Sequence, residues 1–219
     1  MFWRAALAVA AKDLRTEIRG KELLPALVQF VVLSLLIANF AFDLGSAPPA
    51  AVGPGVLWLV VTFVGLLAFG RAFAAEKEQG TLEAMLMTPA GPVAVFFGKA
   101  LAAALTLIAV EVVLLPGVAI FIGAPMNLEV MMTMLVATFG ISALGSLVSA
   151  LAAETTAREL LLPALALPVW LPFVVVGGYA VQRAMAGPDP GWQPTVNLIV
   201  LDIMFVVVCA LAARFVLDD

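Results

Sequence analysis

Six apolar runs dominate this chain, each about as long as the roughly 20 helical residues that cross a bilayer core. They extend approximately from Leu23 to Phe42, Gly55 to Ala75, Val93 to Ile122, Val130 to Leu151, Leu160 to Val181 and Thr195 to Phe215. At that depth no water is present to bond the backbone, so each run must satisfy its own N–H and C=O groups as a helix. Hydrophobic residues make up 64% of the 219 positions and charged residues 12%, with a mean hydropathy of +1.14. A soluble domain of that composition would leave far too much apolar surface in water. The expected fold is therefore all-α, a polytopic membrane protein with one domain over residues 1–219.

The polar separators carry the helix-ending residues that such a bundle needs. They are DLGSAPPAAVGP, a Glu-rich segment, GAPMNLE, AAETTARE and QRAMAGPDPGWQP. The third run is long enough to require tilt or an interfacial first turn. Lys and Arg are retained on the cytoplasmic side, and six spans put both termini on one side. That side would hold every basic residue except Arg183, with Lys99 and Arg214 snorkelling from span ends. Both termini are thus expected in the cytoplasm.

The same count places EKEQGTLEAMLMTP, Glu76 to Pro89, in the cytoplasm. It is the most charged interruption between two spans, and Leu82, Met85 and Leu86 fall at i, i+3, i+4 spacing, one apolar stripe on a short helix. Glu76, Glu78 and Glu83 stand beside that stripe. A docking element for a partner protein fits this pattern. Adsorption to lipid fits it less well, because a Glu-rich helix whose only base is Lys77 suits an anionic leaflet poorly.

Residues 1–22 are expected to form an interfacial amphipathic helix. Trp3, Leu7, Ala10, Leu14 and Ile18 share one face, Arg4, Lys12, Arg15 and Arg19 one flank, and Asp13 and Glu17 the other, where a partner could use them. Whether the helix is a plain anchor or a mechanical part is open at this level. Charges recur through these residues and no long apolar core precedes a small-residue cleavage site, so they read as an interfacial helix and not as a signal peptide.

Catalytic chemistry has little to build on. The chain has no His and one Cys, so a His-activated nucleophile, an internal disulfide and a Cys-based metal cluster are all excluded. Ser142, Ser146 and Ser149 have no Lys nearby in sequence to replace the missing base. GPVAVFFGK, Gly91 to Lys99, lacks the glycine spacing and the Ser or Thr of a phosphate loop. Any ATPase must be a separate polypeptide. No enzyme activity, no metal and no nucleic-acid partner are expected.

Glu111 and Asp202 lie inside predicted spans, where a carboxylate is costly and is a functional candidate by default. They could face one polar cavity or each bond to a neighbouring helix. Gln29, Asn39 and Asn197 read as interhelical hydrogen-bonding residues. In the fourth run Ser142, Ser146 and Ala150 recur at every fourth position beside Gly140, Ala143, Gly145 and Ser149. Such a strip serves close packing within the subunit more than a dimer interface. Pro163, Pro168 and Pro172 predict a kinked fifth span.

Two stretches carry a family resemblance: MFWRAALAVAAKDLRTEIRGKE, and PGVLWLVVTFVGLLAFGRAFAAEKEQGTLEAMLMTPAGPVAVFFGK. The chain resembles, along its whole length and most specifically between Pro54 and Lys99, the haem exporter protein B family of the cytochrome c maturation system. Those proteins are six-span permeases of the ABC exporter type. A shorter pattern shared with other exporter permeases is matched by Glu76, Glu78, Gly80, Thr81, Leu82 and Glu83. The resemblance implies a cytoplasmic coupling region over residues 71–92, with Glu76, Glu78, Gly80, Thr81, Leu82, Glu83, Met85 and Leu86 meeting an ABC ATPase subunit.

It also implies a homodimer and companion cytochrome c maturation membrane proteins that present haem to a periplasmic chaperone. ATP would be bound by the partner ATPase and haem by the partner proteins, with ATP use driving release of the loaded chaperone. Two other readings stay open: an ABC exporter permease for a drug, lipid or polysaccharide, and an ion-coupled secondary transporter using Glu111 and Asp202.

Overall fold

The computed structural model describes residues 2–42, 48–73, 76–77, 80–87, 91–153, 155, 157–187 and 193–217. The helices whose bounds lie within these residues are α1 (Phe2–Gly20), α2 (Leu23–Ala41), α3 (Pro49–Ala72), α4 (Thr81–Leu86), α5 (Pro92–Ile122), α6 (Leu128–Ala153), α7 (Arg158–Ala186) and α8 (Gln193–Val216). No strand occurs among the described residues. Six of these helices, α2, α3, α5, α6, α7 and α8, are long and apolar enough to cross a membrane.

Proline and glycine set several boundaries. Pro49 and Pro92 each open a helix, at a position where the missing N–H is one that no helix would use. Gly91 enters α5 at φ 76° and Gly123 leaves it at φ 74°. L side chains rarely adopt such backbone angles. The second span starts at Pro49, six residues before the expected Gly55, because Pro54 is accommodated inside the helix near its beginning. Its expected end, Ala75, lies outside the described residues. The fifth span continues to Ala186, five residues beyond Val181, and its three prolines all sit within the helix.

α6 is the central helix. Its most apolar window is 72% buried against 22% for those of α2 and α8, and it packs on α3, α5, α7 and α8. Lipid tails are as apolar as Leu, so bundle cohesion rests on close approach and polar contacts. The small-residue strip of α6 supplies that approach within the subunit. A Cβ at Gly145 would lie 2.5 Å from the Phe69 ring of α3, and one at Gly140 would collide with the Phe173 ring of α7. Across the bundle, a Cβ at Gly177 of α7 would collide with Trp58 of α3.

Side chains reaching backbone carbonyls hold the ends together. Asn39 of α2 donates to Phe121 O at the end of α5, at 2.6 Å. Ser149 of α6 donates to Phe69 O of α3, also at 2.6 Å. Asn127 caps α6, its Oδ1 accepting the Val130 N–H at 2.9 Å, while its Nδ2 donates to Ala184 O at the end of α7. Asn39 thus acts as expected, Asn197 accepts from Gln193 of its own helix, and Gln29 is exposed.

Candidate functional site

α1 lies along the start of α5 through small residues. A Cβ at Gly98 would stand 2.7 Å from the Ala6 carbonyl and 2.6 Å from the Val9 Cβ, so the two backbones are nearly in contact there. Ala6 and Ala10 are buried in this crossing, whereas Trp3, Leu7 and Ile18 stay exposed. The expected apolar face of α1 therefore points outward, except for Ala10 and the half-buried Leu14. Phe2 and Trp3 pack their rings against Phe97 of α5.

That crossing aligns Lys12 and Asp13 with Lys99, one residue beyond Gly98. The Lys99 side chain is only 2% exposed and does not snorkel, contrary to expectation. It donates to Ala72 O at the end of α3 at 2.6 Å, and it pairs with Glu76 Oε2 at 2.6 Å and Asp13 Oδ2 at 3.1 Å. Three acceptors match the three protons of an ammonium. The Ala72 carbonyl is also one of those left free at a helix C-terminus, where a cation is favoured. The ring of Phe73 lies 5.3 Å from the same nitrogen, within reach of a cation–π attraction.

Glu76 is bound from both sides, since its Oε1 accepts from Lys12 Nζ at 2.7 Å. Burial opposes ionisation of its carboxyl, but the Lys99 and Lys12 ammonium groups outweigh that and hold it below the usual carboxylate range, the expected effect of close opposite charges. Burial likewise opposes the charge on Lys12, and its contacts with Glu76 and Asp13 reverse the effect and raise its pKa. Asp13 and Glu17 are both engaged inside the chain, Glu17 accepting the Leu24 N–H at 3.2 Å. Neither is simply free for a partner, contrary to the expectation from its flank of α1.

The Glu-rich segment is therefore fastened at its base. Gly80 turns at φ 65°, and Thr81, next to it, donates to Glu76 O at 3.3 Å. α4 follows with Leu82 buried in the chain's own core. Met85 is half-buried, its sulfur 3.8 Å from Lys12 Nζ. Thr81, Ala84 and Met87 are exposed, Met87 by 84%. Part of the apolar stripe, Leu82 above all, thus faces inward. Glu78 lies outside the described residues, as do the side chains of Glu83 and Leu86.

A cleft of about 310 Å³ opens beside this network, between α1, the start of α2, the end of α3 and α5. Sequence reasoning missed both the network and the cleft. The available signal was Lys99 itself, a charge inside a predicted span, which requires a partner.

Glu111 and Asp202 are both buried, and each meets α6. Glu111 accepts the Thr138 hydroxyl, and Asp202 Oδ1 lies against Gly140, two residues further along α6. They approach the same helix from α5 and α8, and neither lines the cleft beside Lys99.

The CcmB protein family matches the chain over residues 4–218. Heme exporter protein B of Rhodobacter capsulatus is 30% identical over 182 aligned positions, covering 82% of this chain and 84% of that protein. Heme exporter protein B of Bradyrhizobium diazoefficiens is 29% identical over 221 positions, with 95% of each chain covered. For the Pseudomonas aeruginosa protein of the same name the identity is 27% over 193 positions, with 84% and 85% covered.

Proposed function

The chain belongs to the CcmB protein family, and from that membership we propose that it is the membrane permease subunit of an ABC complex that exports haem for c-type cytochrome maturation. In this reading it has no catalytic centre of its own. A separate cytoplasmic ATPase hydrolyses ATP, companion membrane proteins hold haem, and two copies of this chain form the core of the complex. Both termini and α4 face the cytoplasm, with α1 lying in the interface.

The observation that supports coupling is Glu76 clamped between Lys12 of α1 and Lys99 of α5, at 2.7 and 2.6 Å. A segment fastened in this way cannot be displaced alone. A push on the exposed side of α4 is carried by Glu76 to α1 and to the first turns of α5, and through Ala72 to the end of α3. ATP binding then biases the bundle between two arrangements to the extent that the ATPase contacts them differently. Glu111 and Asp202 serve packing in this scheme, each seated against α6.

Co-purification with the cognate ABC ATPase tests the reading, comparing the native protein with an Ala84→Asp, Met87→Asp double variant. Both positions are exposed, so the variant should still insert. Capture of the ATPase by the native protein and its loss in the variant supports coupling through α4. Capture that the variant leaves unchanged places docking elsewhere, and no capture at all favours the ion-coupled transporter.

A further inference from the structure

The cleft beside Lys99 is lined by charged residues near the helix ends and by small residues further into the spans. Arg71, Glu17 and Glu22, exposed or half-buried near helix ends, form what is called its mouth, and Ala68, Ala103 and Thr106, which lie inside the spans of α3 and α5, its floor. Such a gradient runs in the direction in which a phospholipid is oriented at the end of a membrane helix. The volume of about 310 Å³ is that of a small-ligand site, room for a headgroup with its glycerol, and the small floor residues let acyl chains leave along the helices.

The charges narrow the choice of headgroup. Asp13, Glu17, Glu22 and Glu76 line the cleft against Lys12, Arg71 and Lys99, so acids outnumber bases by four to three. Lys12, Asp13, Glu76 and Lys99 largely neutralise one another at 2.6 to 3.4 Å. That leaves Arg71 and the two glutamates at the mouth. The Arg71 side chain is 63% exposed and its guanidinium stands 3.9 Å from Glu22. That separation is too long for a hydrogen bond, so its fork is open to a phosphate. Glu17 uses Oε1 on the Leu24 N–H, leaving its other oxygen for an ammonium donor. A purely anionic headgroup would meet Arg71 and also two carboxylates.

We propose that this cleft binds one phospholipid with a zwitterionic, primary-amine headgroup, its phosphate on Arg71 and its ammonium between Glu17 and Glu22. The site is independent of the ATPase-coupling reading. It would let the lipid fill the corner between α1 and the bundle.

The test uses the full-length protein in phosphatidylcholine nanodiscs with a trace of photoactivatable phosphatidylethanolamine or phosphatidylglycerol, and maps crosslinked peptides by mass spectrometry. The ethanolamine probe should label the 99–106 region about fivefold more than the glycerol probe, about 1 kcal/mol, as for one charge contact at a membrane surface. Ala103→Leu, which fills the floor without touching a charge, should abolish that labelling, and Arg71→Gln should reduce it about fivefold on the same basis. Excess soluble glycerophosphoethanolamine should not compete. Equal labelling by both probes, labelling unchanged in either variant, or competition by the soluble headgroup would each overturn the proposal.

Discussion

Lys99 and Glu76 meet at 2.6 Å, although one is held inside the apolar span α5 and the other follows the end of α3. Their pairing helps to attach the segment around α4 to the membrane bundle. It makes a charged residue in a span tolerable and gives the first set of expected outcomes.

Lys99→Met removes one partner of a buried pair and leaves Glu76, 8% exposed, without its nearest cation. Breaking such a pair costs about 3 kcal/mol. Thermal unfolding in detergent should show a clear loss of stability for Lys99→Met. The double variant with Glu76→Gln should be less unstable than the sum of the two single changes. Strict additivity would mean that the pair contributes nothing jointly.

The network sets a pH window. The Glu76 carboxyl is held below its usual 4.5, so its contribution is complete above that value and is lost as pH falls through the lower folded-state value. The Lys12 pKa is raised above 10.5, so its contribution is complete below that value and is lost as pH rises through the higher one. Limited proteolysis around α4 should be constant between those limits and accelerate outside them. In Glu76→Gln the acid-side acceleration should disappear, and an unchanged acid phase would assign it to another group.

Gly140 is a packing position that tolerates nothing larger. A Cβ there would collide with Asp202 Oδ1 and with the Phe173 ring. Gly140→Ala should therefore cost about 1–3 kcal/mol by overpacking. Gly55→Ala is the control, since nothing lies within 4 Å of that Cβ. Removing a helical glycine at Gly55 should leave stability unchanged or raise it by about 0.5–1 kcal/mol. Denaturation of the two variants side by side decides whether the α6 strip is a close-packed seam.

Glu111→Gln retains a side-chain oxygen that can accept the Thr138 hydroxyl, and Asp202→Asn retains the shape that fits against Gly140. Each variant should keep c-type cytochrome formation close to the native level in a host lacking its own copy. Loss of activity in both, with normal insertion, would instead support ion coupling through these carboxylates.

The span count, the family and the N-terminal helix were all legible along the chain, the helix ending at Gly20, two residues before its expected end. Long apolar runs, a charged amphipathic start and the EKEQGTLE pattern are local properties, and a bilayer leaves an apolar run of about 20 residues few conformations other than a helix. Helix ends were less legible where proline was involved. Pro54 and the prolines of α7 lie inside helices, although proline breaks helices on average and is tolerated only where a bundle surrounds it. Partners across the fold could not be read at all. Asp13 was expected to be available to another protein and Lys99 to reach water, yet the approach of α1 to Gly98 sets them 3.1 Å apart, and Lys99 also holds Glu76. Sequence alone determined which segments enter the membrane, since transfer from water depends on each segment's own composition. Tertiary structure decided which charges neutralise one another there, since the sign and size of a buried electrostatic contact depend on distances that no spacing along the chain encodes.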